Sequence, residues 1–325
     1  MHVLVTGATG FIGSAVTAEL IAAGHTVTGL ARSEPGAARL RAAGAGVRHA
    51  TLDDPGSLRE AAALADGVIH LAFIHGFGGM TWKQKLRVLA GGLPSSIVGR
   101  FGEIITRSEQ QAIQALGAAL HGSGRPLIVT FGTMGLGAPG QTAAVPATEG
   151  DRPDRRSAGF MRARLEDQVL ELVPRGVTAV RMRLPPIVHG AGKKGLTAQL
   201  ERIARKKKMS GFHGEGEARW PAVHKLDAAR LFRLALETPE AGACHHAVAE
   251  GGIPFRSIAE AIATRVGVPA RSVPARRAAG HFGWLAPFID TDNPVDSRLT
   301  RERLGWLPEQ PGLLADLALS GHAPD

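Results

Sequence analysis

The sequence has no tyrosine and a single cysteine, Cys244, among its 325 residues. One cysteine excludes an internal disulfide and is typical of a reducing compartment. No apolar run approaches the roughly 18 residues that a membrane-spanning helix needs. The first predicted strand begins at His2, which leaves no room for a signal peptide before it. We therefore expect a cytoplasmic protein without a membrane partner.

Aromatic residues are also scarce, at 5% of the chain, although the formal net charge is +9. The arginines are spread along the chain, and the densest basic run is only Arg205-Lys-Lys-Lys208. The sequence lacks zinc-finger spacing and an RNA-binding aromatic motif, so we expect no nucleic-acid partner. An anionic cofactor or substrate accounts for part of the excess charge. The pair His245-His246 lacks a third ligand at metal spacing, so we predict no metal site.

A glycine motif opens the chain. An apolar strand over 2–5 runs directly into the pattern T-G-x-x-G-x-x-G, and a helix is predicted over 14–23. Gly7 allows a tight turn, Gly10 lets the backbone approach a pyrophosphate, and Gly13 lets the helix pack closely on the strand. The helix also directs the positive end of its dipole at the phosphates. Strand, glycines and helix together predict a dinucleotide-binding site.

Strand and helix signals alternate through the first half of the chain, which is typical of a doubly wound parallel sheet, the Rossmann α/β fold. The predicted strands are 2–5, 25–31, 47–52, 67–72, 126–131 and 178–184. Two segments break the alternation. The first, 73–100, carries Lys83, Lys85 and Arg87, and is either a cap over the active site or a helical insertion. The second, 135–156, is predicted to be an irregular active-site loop.

Helical signals dominate after residue 184. We therefore predict a dinucleotide-binding domain over 1–184 and a smaller, mostly helical substrate lobe over 185–325. The segment 219–249 is predicted to return to the main sheet, so that the two lobes are interleaved. The basic residues of 73–100 indicate an acidic small-molecule substrate, or a substrate presented on a carrier protein.

The end of the second predicted strand indicates which dinucleotide is bound. Chains that bind NAD place a carboxylate about 20 residues after the glycines, where it accepts a hydrogen bond from the ribose 2′-hydroxyl. Here the strand ends Gly29-Leu-Ala-Arg-Ser33, with Arg32 and Ser33 in place of the acid. A guanidinium donates two hydrogen bonds to a 2′-phosphate, which a carboxylate would repel. We predict that NADP(H) is preferred over NAD(H).

Five motifs occur in a characteristic order along the chain. They are Thr6-Gly-Ala-Thr-Gly-Phe-Ile-Gly13, Val68-Ile-His-Leu-Ala72, Arg183-Leu-Pro-Pro-Ile-Val-His-Gly190, Val223-His-Lys-Leu-Asp-Ala-Ala229 and Leu304-Gly-Trp-Leu-Pro308. Together they resemble the extended branch of the short-chain dehydrogenases/reductases, the relatives of NAD-dependent epimerases and dehydratases. Each motif alone is loose, but five in order over nearly the whole chain are specific.

The resemblance implies which residues contact the cofactor. The turn at the pyrophosphate would comprise Gly7, Thr9, Gly10, Phe11, Ile12 and Gly13. Asp53 would face the adenine, Leu71, Ala72 and Phe73 would line the path to the nicotinamide, and Pro185 would border the nicotinamide from the other side. The family also implies a homodimer formed through the long helices after strands four and five.

The family's catalytic tyrosine is missing. Its active site uses a tyrosine, a lysine four residues later, and a serine or threonine after the fifth strand. One alignment puts Phe160 and Arg164 at the first two positions, and another puts Ala158 and Arg162 there. Neither supplies a phenol, and an arginine has too high a pKa to shuttle protons.

Other side chains are candidates for the catalytic role. Thr130 and Thr133 offer hydroxyls near the serine position. The histidines His75, His189 and His224 follow predicted strands or lie in a family motif, and histidine titrates near neutral pH. Alternatively, the substrate is an iminium or a conjugated alkene, which accepts hydride without protonation of a ketone oxygen in the same step.

We therefore predict an NADP(H)-dependent oxidoreductase of the atypical short-chain type. It would transfer hydride to a carbonyl, an imine or a conjugated alkene of a small or medium organic molecule. The alternative is a regulator or redox sensor that binds NADP(H) without turnover.

Overall fold

Two compact units make up the chain, and a computed structural model describes residues 1–74, 80–90, 97–138, 142–192 and 195–319. Unit 1 contains Met1–Thr130, Arg164–Arg181 and Ala235–Ala243. Unit 2 contains Phe131–Ala163, Met182–Leu234 and Cys244–Asp325. The segment Phe131–Ala163 thus groups with the second unit, although it falls inside the predicted domain 1–184.

A seven-stranded parallel sheet forms the Rossmann-like α/β fold that the sequence predicts. Its strands are β1 (His2–Thr6), β2 (Thr26–Ala31), β3 (Gly46–His49), β4 (Gly67–His70), β5 (Pro126–Gly132), β6 (Thr178–Leu184) and β10 (Cys244–His246). Their order across the sheet is β10-β6-β5-β4-β1-β2-β3. The chain runs outward from β1 in both directions, and ligands of such sheets bind at the carboxyl ends of the strands where the order reverses.

Helices follow the strands of this sheet as the alternating pattern predicts. They are α1 (Phe11–Ala22), α2 (Glu34–Ala42), α3 (Pro55–Ala63), α4 (Trp82–Ala90), α5 (Ile97–Ala119), α6 (Phe160–Ala163) and α7 (Glu166–Leu170). The segment between β5 and β6 carries two short helices, α6 and α7. The described part of the segment 73–100 contains α4 and the start of α5, so this part is helical.

The rest of unit 2 contains two small sheets and seven helices among the residues described. Strands β7 (Ile187–His189), β9 (Arg219–His224) and β11 (Glu250–Pro254) form one sheet, and β8 (Ser210–His213) and β12 (Ala270–Val273) form the other. The helices are α8 (Gly195–Lys207), α9 (Lys225–Glu237), α10 (Phe255–Val266), α11 (Ala275–Phe282), α12 (Ala286–Ile289), α13 (Arg298–Leu304) and α14 (Leu313–Leu319). Their core includes Trp220 and Phe255, whose rings meet edge to face at 4.8 Å.

Only part of the predicted segment 219–249 joins the large sheet. Strand β10 lies at its edge beside β6, whereas β9 belongs to the three-stranded sheet. Strand β9 pairs in parallel with β7 on one side and antiparallel with β11 on the other. Because both of its edges are hydrogen-bonded within that sheet, it has no edge left for the large one.

Candidate functional site

The glycine motif forms a tight turn in unit 1 that larger side chains would not fit. Gly7 has a φ of +71°, and a Cβ there would lie 2.8 Å from the amide nitrogen of Ala72. A Cβ on Gly13 would lie 2.1 Å from the carbonyl oxygen of Gly7. Gly10 is exposed and begins α1, and no side chain caps this helix end. The turn therefore has the close backbone packing and the exposed helix end that a pyrophosphate site needs.

Thr6 connects this turn to the end of β4. Its hydroxyl oxygen accepts hydrogen bonds from the amides of Leu71 and Ala72, at 3.2 and 3.1 Å. With both lone pairs engaged, the hydroxyl donates its own proton to Nδ1 of the buried His70, 2.8 Å away. The other ring nitrogen of His70 lies 3.8 Å from the carboxylate of Glu109, which is also buried. Thr6, His70 and Glu109 were not predicted as site residues, although Thr6 is the first residue of the glycine motif.

Arg32 and Ser33 are both exposed where β2 ends and α2 begins. Ser33 has extended backbone at the start of α2, and its hydroxyl makes no capping hydrogen bond. A Cβ on the buried Gly36 would lie 3.4 Å from Ser33 Oγ and 3.6 Å from a methyl carbon of Thr9. Thr9 of the glycine motif and Ser33 therefore approach the same point of α2.

The carboxylate nearest to Arg32 in sequence is turned toward another arginine. Glu34 accepts a hydrogen bond from Arg41 at 2.5 Å, and this bond and the charge of Arg41 lower the pKa of Glu34. Its negative charge is thus compensated within α2, which reduces its repulsion of a phosphate bound near Arg32.

Asp53 lies in a polar network after β3. Its Oδ1 accepts hydrogen bonds from Gln84 Nε2 at 2.7 Å and from Ser108 Oγ at 2.8 Å. Gln84 belongs to α4 and Ser108 to α5, so the network fixes the predicted adenine contact against both helices. Asp53 was predicted from the sequence, but its partners were not, because no local spacing relates them to it.

Leu71, Ala72 and Phe73, predicted to line the nicotinamide path, are half-buried after β4. Phe73 packs against a small apolar cluster that includes Ile74 and Val88. Pro185 is buried in unit 2 directly after β6. Proline has no amide to donate to a sheet, so it marks where the chain leaves β6 and continues into β7.

The Thr133 hydroxyl, near the family's serine position, is already hydrogen-bonded. Thr133 is buried in a short 3₁₀ turn after β5, and it donates a hydrogen bond to Oδ1 of Asn293 at 2.9 Å. The amide of Asn293 donates in return to the carbonyl oxygen of Thr133 at 3.0 Å. Thr130 is buried within β5 itself. These two hydrogen bonds fix the 3₁₀ turn to the segment around Asn293 within unit 2. Asn293 was not predicted from the sequence.

The two alignments of the tyrosine and lysine positions differ in what surrounds their arginines. The Arg162 guanidinium lies 6.0 Å from the centre of the Phe131 ring at the end of β5, whereas Arg164 is exposed. Of the two arginines, Arg162 is thus the one beside the end of β5. A Cβ on Gly159 would lie 2.9 Å from the amide nitrogen of Gly135, so the backbone beside Ala158 packs closely on the 3₁₀ turn.

Two of the three candidate histidines lie together in unit 2. His189 Nδ1 donates to the Asp316 carboxylate at 2.9 Å, and the rings of His189 and His224 meet edge to face at 5.3 Å. Burial and the neighbouring His189 lower the pKa of His224, and its Nδ1 accepts from the amide of Leu226. Both rings are buried. His75 lies outside the described residues.

Two of the family motifs bind each other. The Asp227 carboxylate accepts hydrogen bonds from the amides of Glu309 and Gln310 at 2.9 and 3.1 Å. The indole of Trp306 donates to the carbonyl oxygen of Asp227 at 2.9 Å. The motifs 223–229 and 304–308 therefore have a structural role, which is to fix the segment before α14 to the start of α9.

Among the residues described, no three histidine, cysteine, aspartate or glutamate side chains are grouped to hold a metal ion. No helix in the described part of the chain has the length and apolar character needed to cross a membrane.

The turn at Gly7–Gly13 and the sheet that carries it define a Rossmann-like α/β protein. The model of the NAD dependent epimerase/dehydratase family matches residues 3–90. This match confirms the resemblance predicted from the motifs.

Relatives in other organisms match nearly the whole chain. It is 41% identical to an uncharacterized protein of Schizosaccharomyces pombe over 322 residues, which cover 99% of this chain and 100% of that protein. It is 40% identical to an uncharacterized protein of Saccharomyces cerevisiae over 319 residues, 98% of each. A 4-hydroxy-2-methyl-3-oxo-4-farnesyl-3,4-dihydroquinoline-1-oxide ketoreductase of Stigmatella aurantiaca is 25% identical over 295 residues, covering 88% of this chain and 81% of that protein.

Solved structures share the fold at lower identity. A dTDP-glucose 4,6-dehydratase of Streptomyces venezuelae, solved with NAD bound, is 19% identical and superposes with a TM-score of 0.75 over 99% of this chain and 95% of its own. A UDP-glucose 4-epimerase of Thermotoga maritima, solved with UDP-glucose, is 21% identical with a TM-score of 0.73, covering 98% and 97%. These likenesses establish the epimerase/dehydratase fold.

Proposed function

We propose that this protein is an NADP(H)-dependent oxidoreductase that exchanges hydride with a small or medium organic substrate without a tyrosine acid. The observation that carries the proposal is the backbone turn at Gly7 and Gly13, which a single Cβ would block, with exposed Arg32 and Ser33 beside it. The NAD bound to the Streptomyces venezuelae dehydratase supports a nicotinamide cofactor for a chain of this fold.

The residues of unit 1 fit such a cofactor. The backbone at Gly10 and the start of α1 would hold the pyrophosphate, because an uncapped helix end offers amide donors to anions. Arg32 and Ser33 would bind the 2′-phosphate. When bound, the reduced nicotinamide supplies a hydride that it delivers to carbon.

Cofactor choice is tested by titrating the purified protein with NADPH and NADH and following nucleotide fluorescence. A charged hydrogen bond contributes about 1.5–3 kcal/mol, so Arg32→Ala should weaken NADPH binding roughly 10- to 100-fold and leave NADH binding nearly unchanged. Arg39→Ala, which removes another exposed arginine from α2, is the matched control. Equal affinity of the unmodified protein for the two nucleotides would contradict the NADP(H) assignment.

Turnover is tested by incubating the protein with NADPH and a panel of ketones, imines and conjugated enones, and following the absorbance of the reduced nicotinamide. Acidic members belong in the panel because α4 carries Lys83, Lys85 and Arg87 and no acid. The second candidate function, a non-catalytic NADP(H) regulator, is favoured by the bonded state of Thr133 and by the lack of tyrosine. Tight NADPH binding with no oxidation across the panel would support the regulator.

A further inference from the structure

Unit 2 carries a cluster of exposed cations that the proposed cofactor site does not use. Four come from the basic run at the end of α8, one from β12 and two from the first turn of α11. They are Arg205, Lys206, Lys207, Lys208, Arg271, Arg276 and Arg277. Within the described ranges, none of them forms an ion pair with a carboxylate. We call this surface the basic face.

The three elements of the basic face adjoin one another. Strands β8 and β12 pair in parallel with Arg271 opposite Gly211. The ring of His281, in the last turn of α11, lies over Gly211, where a Cβ would come within 2.5 Å of its Nε2. Burial lowers the pKa of His281, and the positive charge of Lys207 lowers it further. Residues of α8, β8 and α11, among them Ala204, Gly211 and His281, line one small cavity, so the two helices are neighbours beside the short sheet.

An exposed tryptophan adds an apolar group to this surface. Trp284 lies two residues after the end of α11, and its side chain is 63% exposed. Its ring contacts the Phe288 ring edge to face, with the ring centres 6.1 Å apart. Between the α11 arginines and Trp284, the exposed positions Ala279 and Gly280 carry little or no side chain. The exposed side of α11 therefore has few protruding side chains between the arginines of its first turn and the indole of Trp284, which lies just after its last residue.

We propose that the basic face docks on an anionic phospholipid surface. Clusters of four to eight lysines and arginines on or beside an amphipathic helix are attracted to acidic headgroups, and indole rings are enriched at the level of the headgroups. Small exposed residues let a planar surface approach α11 closely. The sequence predicts no membrane partner because it has no apolar run long enough to span a bilayer, but a protein bound to a membrane surface needs no such run.

The test uses the full chain and vesicles of phosphatidylcholine with and without phosphatidylserine, with binding measured by flotation. The protein should bind the acidic vesicles at low salt, leave the neutral ones unbound, and be released from the acidic vesicles as the ionic strength rises. Each arginine near the surface contributes about fivefold to the partition coefficient, so Arg276→Gln/Arg277→Gln should bind about 30-fold more weakly. The control Arg39→Gln/Arg59→Gln removes two exposed arginines from helices of unit 1 and should bind like the unmodified protein.

Tryptophan substitutions locate the contact. Trp284→Ser should weaken vesicle binding, whereas Trp82→Ser, which removes a 68% exposed tryptophan from α4, should not. Circular dichroism and thermal melts establish that each variant is folded. The proposal is overturned by equal binding to neutral and acidic vesicles, or by equal losses in the two double variants. It is also overturned if the protein binds a single-stranded RNA and no vesicle, since the basic face would then serve a nucleic acid.

Discussion

Thr6→Val tests whether the hydroxyl between β1 and β4 supports the cofactor turn. Valine keeps the branched shape of threonine and removes the hydroxyl, so the Ala72 amide loses its acceptor and His70 Nδ1 loses a donor. The Leu71 amide keeps a second acceptor, the main-chain carbonyl oxygen of Thr6, at 3.3 Å. At about 1 kcal/mol for each of the two groups that lose a partner, the free energy of unfolding should fall by about 2 kcal/mol.

The same substitution should weaken NADPH binding. The Ala72 amide that bonds Thr6 also packs on Gly7, so a shift of residues 71–72 moves the turn that would hold the pyrophosphate. Urea denaturation gives the stability change, and fluorescence titration gives the affinity. Thr6→Ser, which keeps the hydroxyl and loses only a methyl group, should retain most of both. If valine lowers stability by less than about 1 kcal/mol, or serine lowers it as much as valine, the hydroxyl does not have this role.

Two further predictions concern unit 2. Burial, and to a smaller extent the charge of Arg303, lowers the pKa of His245 to about 4. The unfolded chain therefore binds this proton more readily as the pH falls below about 6.5, so His245 alone should lower the stability by about 2 kcal/mol between pH 7 and pH 5. Burial also lowers the pKa of the adjacent His246 to about 4. Urea denaturation of His245→Leu should therefore show a pH-dependent loss about 2 kcal/mol smaller than that of the unmodified protein. The Asp227 carboxylate accepts hydrogen bonds from two backbone amides, and in Asp227→Asn the side-chain NH2 group would face one of them, where it cannot accept. This substitution should destabilise the protein by about 2 kcal/mol and speed hydrogen exchange at Glu309 and Gln310; unchanged exchange would contradict the structural role of the motif.

The fold could be predicted because its signals are local. Residues 3–5 of β1 are fully buried, and such a strand gives a continuous apolar run. The first helix begins at Phe11, three residues before the predicted start at Ser14. Glycine lowers helix propensity, so Gly13 hides the first turn of this helix from the helical pattern.

The partners of the candidate catalytic residues could not be predicted in this way. Asn293 is separated from Thr133 by 160 residues, and Asp316 from His189 by 127. No spacing rule relates positions so far apart in the chain. Burial and satisfied hydrogen bonds were equally invisible, so Thr133 resembled an available hydroxyl when the sequence was considered alone.

The hydrogen bonds of Thr133 and His189 limit the reactions that the proposed oxidoreductase can catalyse. The Thr133 proton is directed at Asn293, and Nδ1 of His189 donates to Asp316. Neither proton can reach a substrate oxygen without breaking a buried hydrogen bond, which costs about 1–3 kcal/mol before any chemistry begins. An iminium or a conjugated alkene avoids this cost, because hydride adds to carbon and solvent supplies any proton in a later step. If the protein turns over NADPH, the imines and enones of the panel should therefore react faster than ketones of similar size. Faster reduction of the ketones would show that another proton donor reaches the substrate.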